Sequence, residues 1–248
     1  MGCGCPQGGV LSPLLWNLLV GGLLLEVGGS RTYIQAYADD IVLLFQGSDM
    51  SELHAEASHC LETVGRWADD NDLVFSAGKS ESIVFTWRRH WNLQPLLLGG
   101  HVIPRVKQVR YLGVTLDHKL NWMLHISERS TLALGVLARI NRTLGYSWGM
   151  SPELIIWAYK ALVLPVLEYG CVVWAGALQR CRAVSELTKV QRMACCMALS
   201  AFPGTATVVM VYIKNLIYSS LSLFYINLLN LFGINFLFNI LVDYLYLI

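Results

Sequence analysis

Two apolar, β-branched runs, Thr32-Tyr33-Ile34-Gln35-Ala36 and Ile41-Val42-Leu43-Leu44-Phe45, are separated only by Tyr37-Ala38-Asp39-Asp40. That pattern predicts a buried β-hairpin with two adjacent carboxylates at its turn. A hairpin turn holds acids rigidly, and two acids side by side are costly unless something neutralises them. A divalent cation does so. Two-metal phosphoryl-transfer sites hold their ions about 3.5–4 Å apart on fixed carboxylates of this kind. Asp-Asp at a turn is in itself ordinary turn chemistry, so the surrounding sequence decides its meaning.

The chain has 248 residues, enough for one or two domains with an ample core. Its net charge of +1 hides an asymmetry. Residues 1–100 hold 5 Lys/Arg against 11 Asp/Glu, whereas residues 101–200 hold 12 against 5. The acidic half contains the carboxylate hairpin; the basic half suits a phosphate backbone or is simply a set of solvated helix faces. The seven cysteines include no Cys-x-x-Cys pair, and their number is odd. Neither a disulfide framework nor a zinc ribbon is supported, and free thiols in a reducing compartment, cytoplasm or nucleus, are expected. No cationic start followed by an apolar run marks a signal peptide.

Along the chain, Ser12-Pro13 predicts a helix start, with Leu14, Leu15, Leu18, Leu19 and Leu23 as its apolar face and Gly28-Gly29 as its end. Asp49, with Glu52 three residues on, predicts a second helix carrying Leu53, Ala57, Cys60, Leu61, Val64, Trp67 and Ala68 at helical spacing. Short strands are expected at 73–75, 82–86, 93–98, 101–104 and 109–116, with a turn at Gly99-Gly100. From about Trp122 the periodicity becomes helical, and a last helix is expected near 184–199. Strands and helices followed by helices alone predict an α+β body and then an α-helical region. Trp87, Arg88, Arg89, His90 and Trp91 form a basic-aromatic cluster, suited either to stacking and pairing with nucleic acid or to capping a strand.

Residues 207–248 differ from the rest. They lack Ala, Arg, Pro, Gln, Glu, His, Cys and Trp, and residues 215–242 carry no charge. This is the composition of translated A/T-rich sequence. These 28 uncharged residues exceed the ~20 that cross a bilayer, although Asn227, Asn230, Asn235 and Asn239 would add cost. An apolar C-terminal helix, with membrane as a partner through 215–242, is therefore an expectation.

Upstream of the hairpin lies Pro6-Gln7-Gly8-Gly9-Val10-Leu11-Ser12-Pro13. Downstream come Lys79-Ser80 and Tyr111-Leu112-Gly113-Val114. In order and spacing these blocks resemble the reverse transcriptases of non-LTR retrotransposons of the LINE and jockey kind, over about residues 2–200. The resemblance implies a partial right-hand polymerase palm at 1–120, a helical thumb or connection at 121–206, and the apolar tail at 207–248. It implies an RNA-directed DNA polymerase, with RNA template and DNA primer as partners and Mg²⁺ as cofactor. It makes Asp39 and Asp40 the metal ligands and Lys79 the group that neutralises or protonates the leaving pyrophosphate. Gln7 and Gly8 would contact template and nucleotide, Tyr37 and Ala38 would lie under the primer end, and Tyr111, Leu112 and Gly113 would grip the primer backbone. Cys3 stands where the family often has a basic residue.

The family's first palm motif carries another metal-binding aspartate on a strand well before the Pro-Gln-Gly block. Five residues precede Pro6 here. The expectation is a domain fragment that is inactive alone, with weak metal binding and an unpaired edge in the palm sheet. A small membrane-tethered protein without catalytic role, and a nucleic-acid-binding fragment using the basic half, are the alternative readings.

Overall fold

A computed structural model describes residues 8–28, 32–142, 150–201 and 244–247. The calls on Cys3, on Gln7 and on the apolar span 215–242 lie outside these residues. The described residues form two compact units. One contains the chain up to Tyr111 together with Asp117–Leu120 and the strand at 244–247; the other contains Leu112–Leu116 and the chain from Asn121 to 201.

In the first unit, α1 (Ser12–Val27) leads into the hairpin of β1 (Thr32–Tyr37) and β2 (Asp40–Gln46), then α2 (Met50–Asp70), β3 (Ser82–Phe85), β4 (Leu96–Leu98), β5 (His101–Ile103) and β6 (Gln108–Tyr111). Helix α2 forms as its periodicity predicts. Leu53, Ala57, Cys60, Leu61, Val64, Trp67 and Ala68 are all buried, and the Asp49 side chain caps the helix by accepting from the Ser51 N–H at 2.8 Å. Its far end is a Schellman turn. The Leu73 N–H bonds the Ala68 carbonyl (2.8 Å), the Asp72 N–H bonds the Asp69 carbonyl (3.3 Å), and Asp72 takes the left-handed conformation at φ 54°. This wrap-around turn consumes the residues expected to begin a strand at 73–75, which is therefore absent.

Helices α1 and α2 and the segment 93–103 enclose one core with Leu43, Phe45 and Val84 of the sheet. Residues of the opposite parity, Val42 and Ile83, are buried as well, so the central strands lack a polar alternation. Helix α1 departs from expectation. Val20 and Leu23 are buried and Trp16 and Val27 pack beside them, whereas Leu14, Leu15 and Leu18 of the expected apolar face are more than half exposed. The helix is apolar on every side, so periodicity could not single out the packed one.

The strand order of the main sheet is β1-β2-β8-β3, where β8 is Tyr244–Leu247. It runs antiparallel to both neighbours, pairing Leu43 with Leu247 on one side and Ser82 with Leu247 on the other. The edge expected to stay open is thus closed by four residues from the tail. Those four residues are strand and lie just beyond the expected apolar span at 215–242.

In the second unit, β7 (Val114–Asp117) is followed by α3 (Met123–Arg142), α4 (Pro152–Ala158), a π-helical turn (Tyr159–Val163), α5 (Leu164–Glu168), α6 (Cys171–Trp174), a 3₁₀ turn (Ala175–Gln179) and α7 (Cys181–Ala198). Ile126, Ser130, Ala133, Leu137 and Ile140 form the buried stripe of α3. His125, fully buried, accepts the Thr115 N–H at Nδ1 (3.1 Å) and lies 3.4 Å from the Tyr169 carbonyl at Nε2. Both ring nitrogens are used when the proton sits on Nε2. The strand expected at 109–116 is two strands, because Leu112 (φ 44°) and Gly113 (φ 76°) make a turn. Among the described residues no single helix is long and apolar enough to cross a membrane. The bent pair Pro152–Glu168 and Cys171–Gln179 passes by composition, and its apolar residues Tyr159, Val163, Leu167 and Trp174 are buried in this unit.

Candidate active site at the hairpin turn

The register of the hairpin pairs Tyr37 with Asp40 and leaves Ala38-Asp39 as a two-residue turn. Ala38 has φ 54°, the positive value that mirror-type hairpin turns require at their first position. The turn does not hang free. Trp16 of α1 donates its indole N–H to the Ala38 carbonyl at 2.6 Å, and at the other end of β1 the Thr32 hydroxyl donates to Glu56 of α2 at 2.7 Å. Both ends of the hairpin are therefore tied to helices that share the core.

Asp39 and Asp40 are exposed and line a cavity of about 320 Å³. Its other polar lining comes from Ser76, Lys79 and Ser80, over an apolar floor that includes Leu61 and Phe75. A tight turn brings Lys79 there: the N–H groups of Lys79 and Ser80 both bond the Ser76 carbonyl at 3.0 Å. Two adjacent carboxylates and a lysine far along the sequence thus meet at one opening. Tyr111 belongs to the same neighbourhood. Burial raises its phenol above the ordinary value, and the charge of Asp40, then Tyr33, adds to the effect.

The remaining sequence candidates are placed differently. Gly8 is exposed with φ 83° and lies outside the cavity lining, and Tyr37 is 62 % exposed on β1. Leu112 and Gly113 belong to the second unit. There the Tyr169 hydroxyl donates to the Leu112 carbonyl at 2.8 Å, and Arg129, lying 4.4 Å over the Tyr169 ring, donates to the Gly113 carbonyl. A β-carbon on Gly113 would come 3.0 Å from Tyr169, on a backbone already at φ 76°. Only glycine fits that turn without strain. Sequence reasoning missed Trp16, Arg129 and Tyr169. Trp16 had one available signal, the lone indole donor in an otherwise apolar helix.

Two carboxylates at the mouth of a cavity are a hard-oxygen donor set. They fit a cation such as Mg²⁺, which takes one or two carboxylates and completes its shell with water and phosphate oxygens. Among the described residues no group of three His, Cys, Asp or Glu side chains gathers for a metal.

Comparison with known proteins points the same way as the sequence motifs. The family model described as reverse transcriptase (RNA-dependent DNA polymerase) matches residues 1–116, the segment that contains the hairpin, Lys79 and Tyr111. That match covers just under half of the chain. A palm-type polymerase fold with mixed helix and sheet follows, in a family that uses divalent metal ions and nucleic acid substrates. The 115 kDa protein in type-1 retrotransposable element R1DM of Drosophila melanogaster is 28% identical over 83% of this chain and 20% of its own length. A Pol polyprotein from the type-1 element R1 of Nasonia vitripennis is 26% identical over 77% of this chain and 58% of its own. The RNA-directed DNA polymerase from the mobile element jockey of Drosophila melanogaster is 26% identical over 76% of this chain and 20% of its own. The chain is thus similar to a segment of R1- and jockey-type retrotransposon proteins, and spans about a fifth of the length of R1DM and jockey. No solved structure matches it.

Proposed function

We propose that this segment supplies the nucleotide end of an RNA-directed DNA polymerase site. The supporting observation is that Asp39, Asp40 and Lys79 line one cavity. Asp39 and Asp40 would hold a divalent metal, which would supply charge neutralisation for phosphoryl transfer. Lys79 faces the departing pyrophosphate as a positive charge and proton donor. Tyr37 and the small Ala38 support the primer end, Gln7 and Gly8 contact template and nucleotide, and Tyr111, Leu112 and Gly113 hold the primer backbone. In this reading residues 1–120 are palm, 121–206 are thumb or connection, and 207–248 form an apolar tail. RNA template and DNA primer are the partners.

Two carboxylates alone make a weak site, so binding in the millimolar range is expected, with water completing the shell. Mn²⁺, a paramagnetic stand-in for Mg²⁺, should broaden the amide signals of residues 37–41 and 79 first. Asp39→Asn combined with Asp40→Asn should remove that broadening. Broadening centred elsewhere, or unchanged in the double variant, would place the metal away from the hairpin.

A further inference from the structure

Beyond the end of β3 lies a second groove, of about 470 Å³, that shares no lining residue with the Asp39–Asp40 cavity. Arg88, Arg89, Arg105, Lys107 and Lys119 line it, and no Asp or Glu does. All five are exposed, and His118 lines the groove as well. Their backbone is fixed. The Arg88 N–H bonds the Thr86 hydroxyl (3.1 Å), the His118 N–H bonds the Lys107 carbonyl (3.0 Å), and the Leu120 N–H closes a turn on Asp117 (2.8 Å) that presents Lys119. Arg105 stacks over Trp91 with its guanidinium 5.3 Å from the ring and donates to the Leu93 and Gln94 carbonyls, which sets one wall. At the rim Trp87 is 57 % exposed.

Five permanent cations gathered in one groove repel one another, and an exposed indole forgoes burial. Both features are explained by one ligand chemistry: phosphates that pair with the cations and an aromatic base that stacks on the indole. A small phosphate would leave the indole and most of the cations unused. A paired duplex hides its base faces from a stacking tryptophan. We propose that this groove is a binding site for a single-stranded polynucleotide, separate from the polymerase cavity, with Trp87 stacking on an unpaired base. The cluster at 87–91 is then a reading surface rather than a strand cap.

The test is fluorescence anisotropy of labelled oligo-U and oligo-dT on the full chain, at salt concentrations from about 50 to about 200 mM. Trp87→Ala should weaken binding about five- to a hundredfold, and Trp87→Phe should keep most of it. Replacing Arg89, Lys107 and Lys119 together by Ala should flatten the slope of log affinity on log salt by about 2. The assay contains neither metal nor nucleotide, so failure of the polymerase reading would not affect this result. A preference between the two oligomers identifies RNA or DNA as the physiological strand; equal binding assigns both. Unaltered affinity in Trp87→Ala together with an unaltered salt slope in the triple variant would overturn the proposal. So would loss of binding only on replacing by Ala both Lys189 and Arg192, which line a separate groove along α7, or groove-dependent binding to anionic vesicles with none to oligonucleotides.

Discussion

Trp16 fixes the carboxylate turn through a single hydrogen bond to the Ala38 carbonyl, and that carbonyl sits on left-handed backbone. Trp16→Phe keeps the packing ring and deletes the donor. A loss of about 1 kcal/mol in stability is expected, with faster amide exchange at Asp39 and Asp40 than elsewhere in the sheet. A uniform rise in exchange would mean that the indole serves the core rather than the turn. Cys60 shows a different use of burial. Desolvation, and secondly the Glu56 carboxylate, push its thiol from 9.0 up to about 12. The native protein should therefore keep Cys60 unreactive to iodoacetamide at pH 8 while exposed Cys181 reacts, as read by peptide mass spectrometry. The sign of the linkage follows. The folded state holds the Cys60 proton more tightly than the unfolded chain, so this contribution is complete below pH 9 and is lost as pH rises towards about 12.

At the scale of elements, what was legible in the sequence was what periodicity and turn chemistry encode locally. The α2 stripe and its Asp49 cap are local, and both stand in the structure at the expected residues. So does the hairpin, because two buried strands joined by two residues admit few registers. Helix α1 was legible as a helix but not in its orientation, since leucines surround it. The lost strand at 73–75 follows from Asp72, which tolerates the left-handed position usually given to glycine. Strand β8 was illegible for a deeper reason: its partners β2 and β3 lie about 200 and about 160 residues away in sequence, and no local pattern announces them. It leads to a direct expectation. Deleting residues 244–247 should deprotect the amides of 43–46 and 82–85 to hydrogen exchange and leave the β1–β2 pairing intact. If those amides stay protected, another segment fills the slot.

At the scale of the whole molecule, the site was legible in its parts but not in its assembly. Asp39, Asp40 and Lys79 carry no local signal that joins them; α2, the Ser76 turn and the hairpin do so only once folded. The Tyr111-Leu112-Gly113 motif is divided, with Tyr111 near Asp40 and Leu112-Gly113 held by Arg129 and Tyr169. The described residues bring two carboxylates to the cavity, and a two-metal site needs further anchoring. The central claim is that the hairpin is a competent half of that site. It is tested most directly by primer extension on an RNA template with Mg²⁺, using this chain fused behind the aspartate-bearing palm strand of an active relative. The fusion should extend the primer. Asp39→Asn should lower the rate at least about a hundredfold, by the loss of a metal ligand, and the unfused chain should not extend at all. A folded fusion that binds primer-template yet stays inactive, or one whose activity survives Asp39→Asn, would contradict the account.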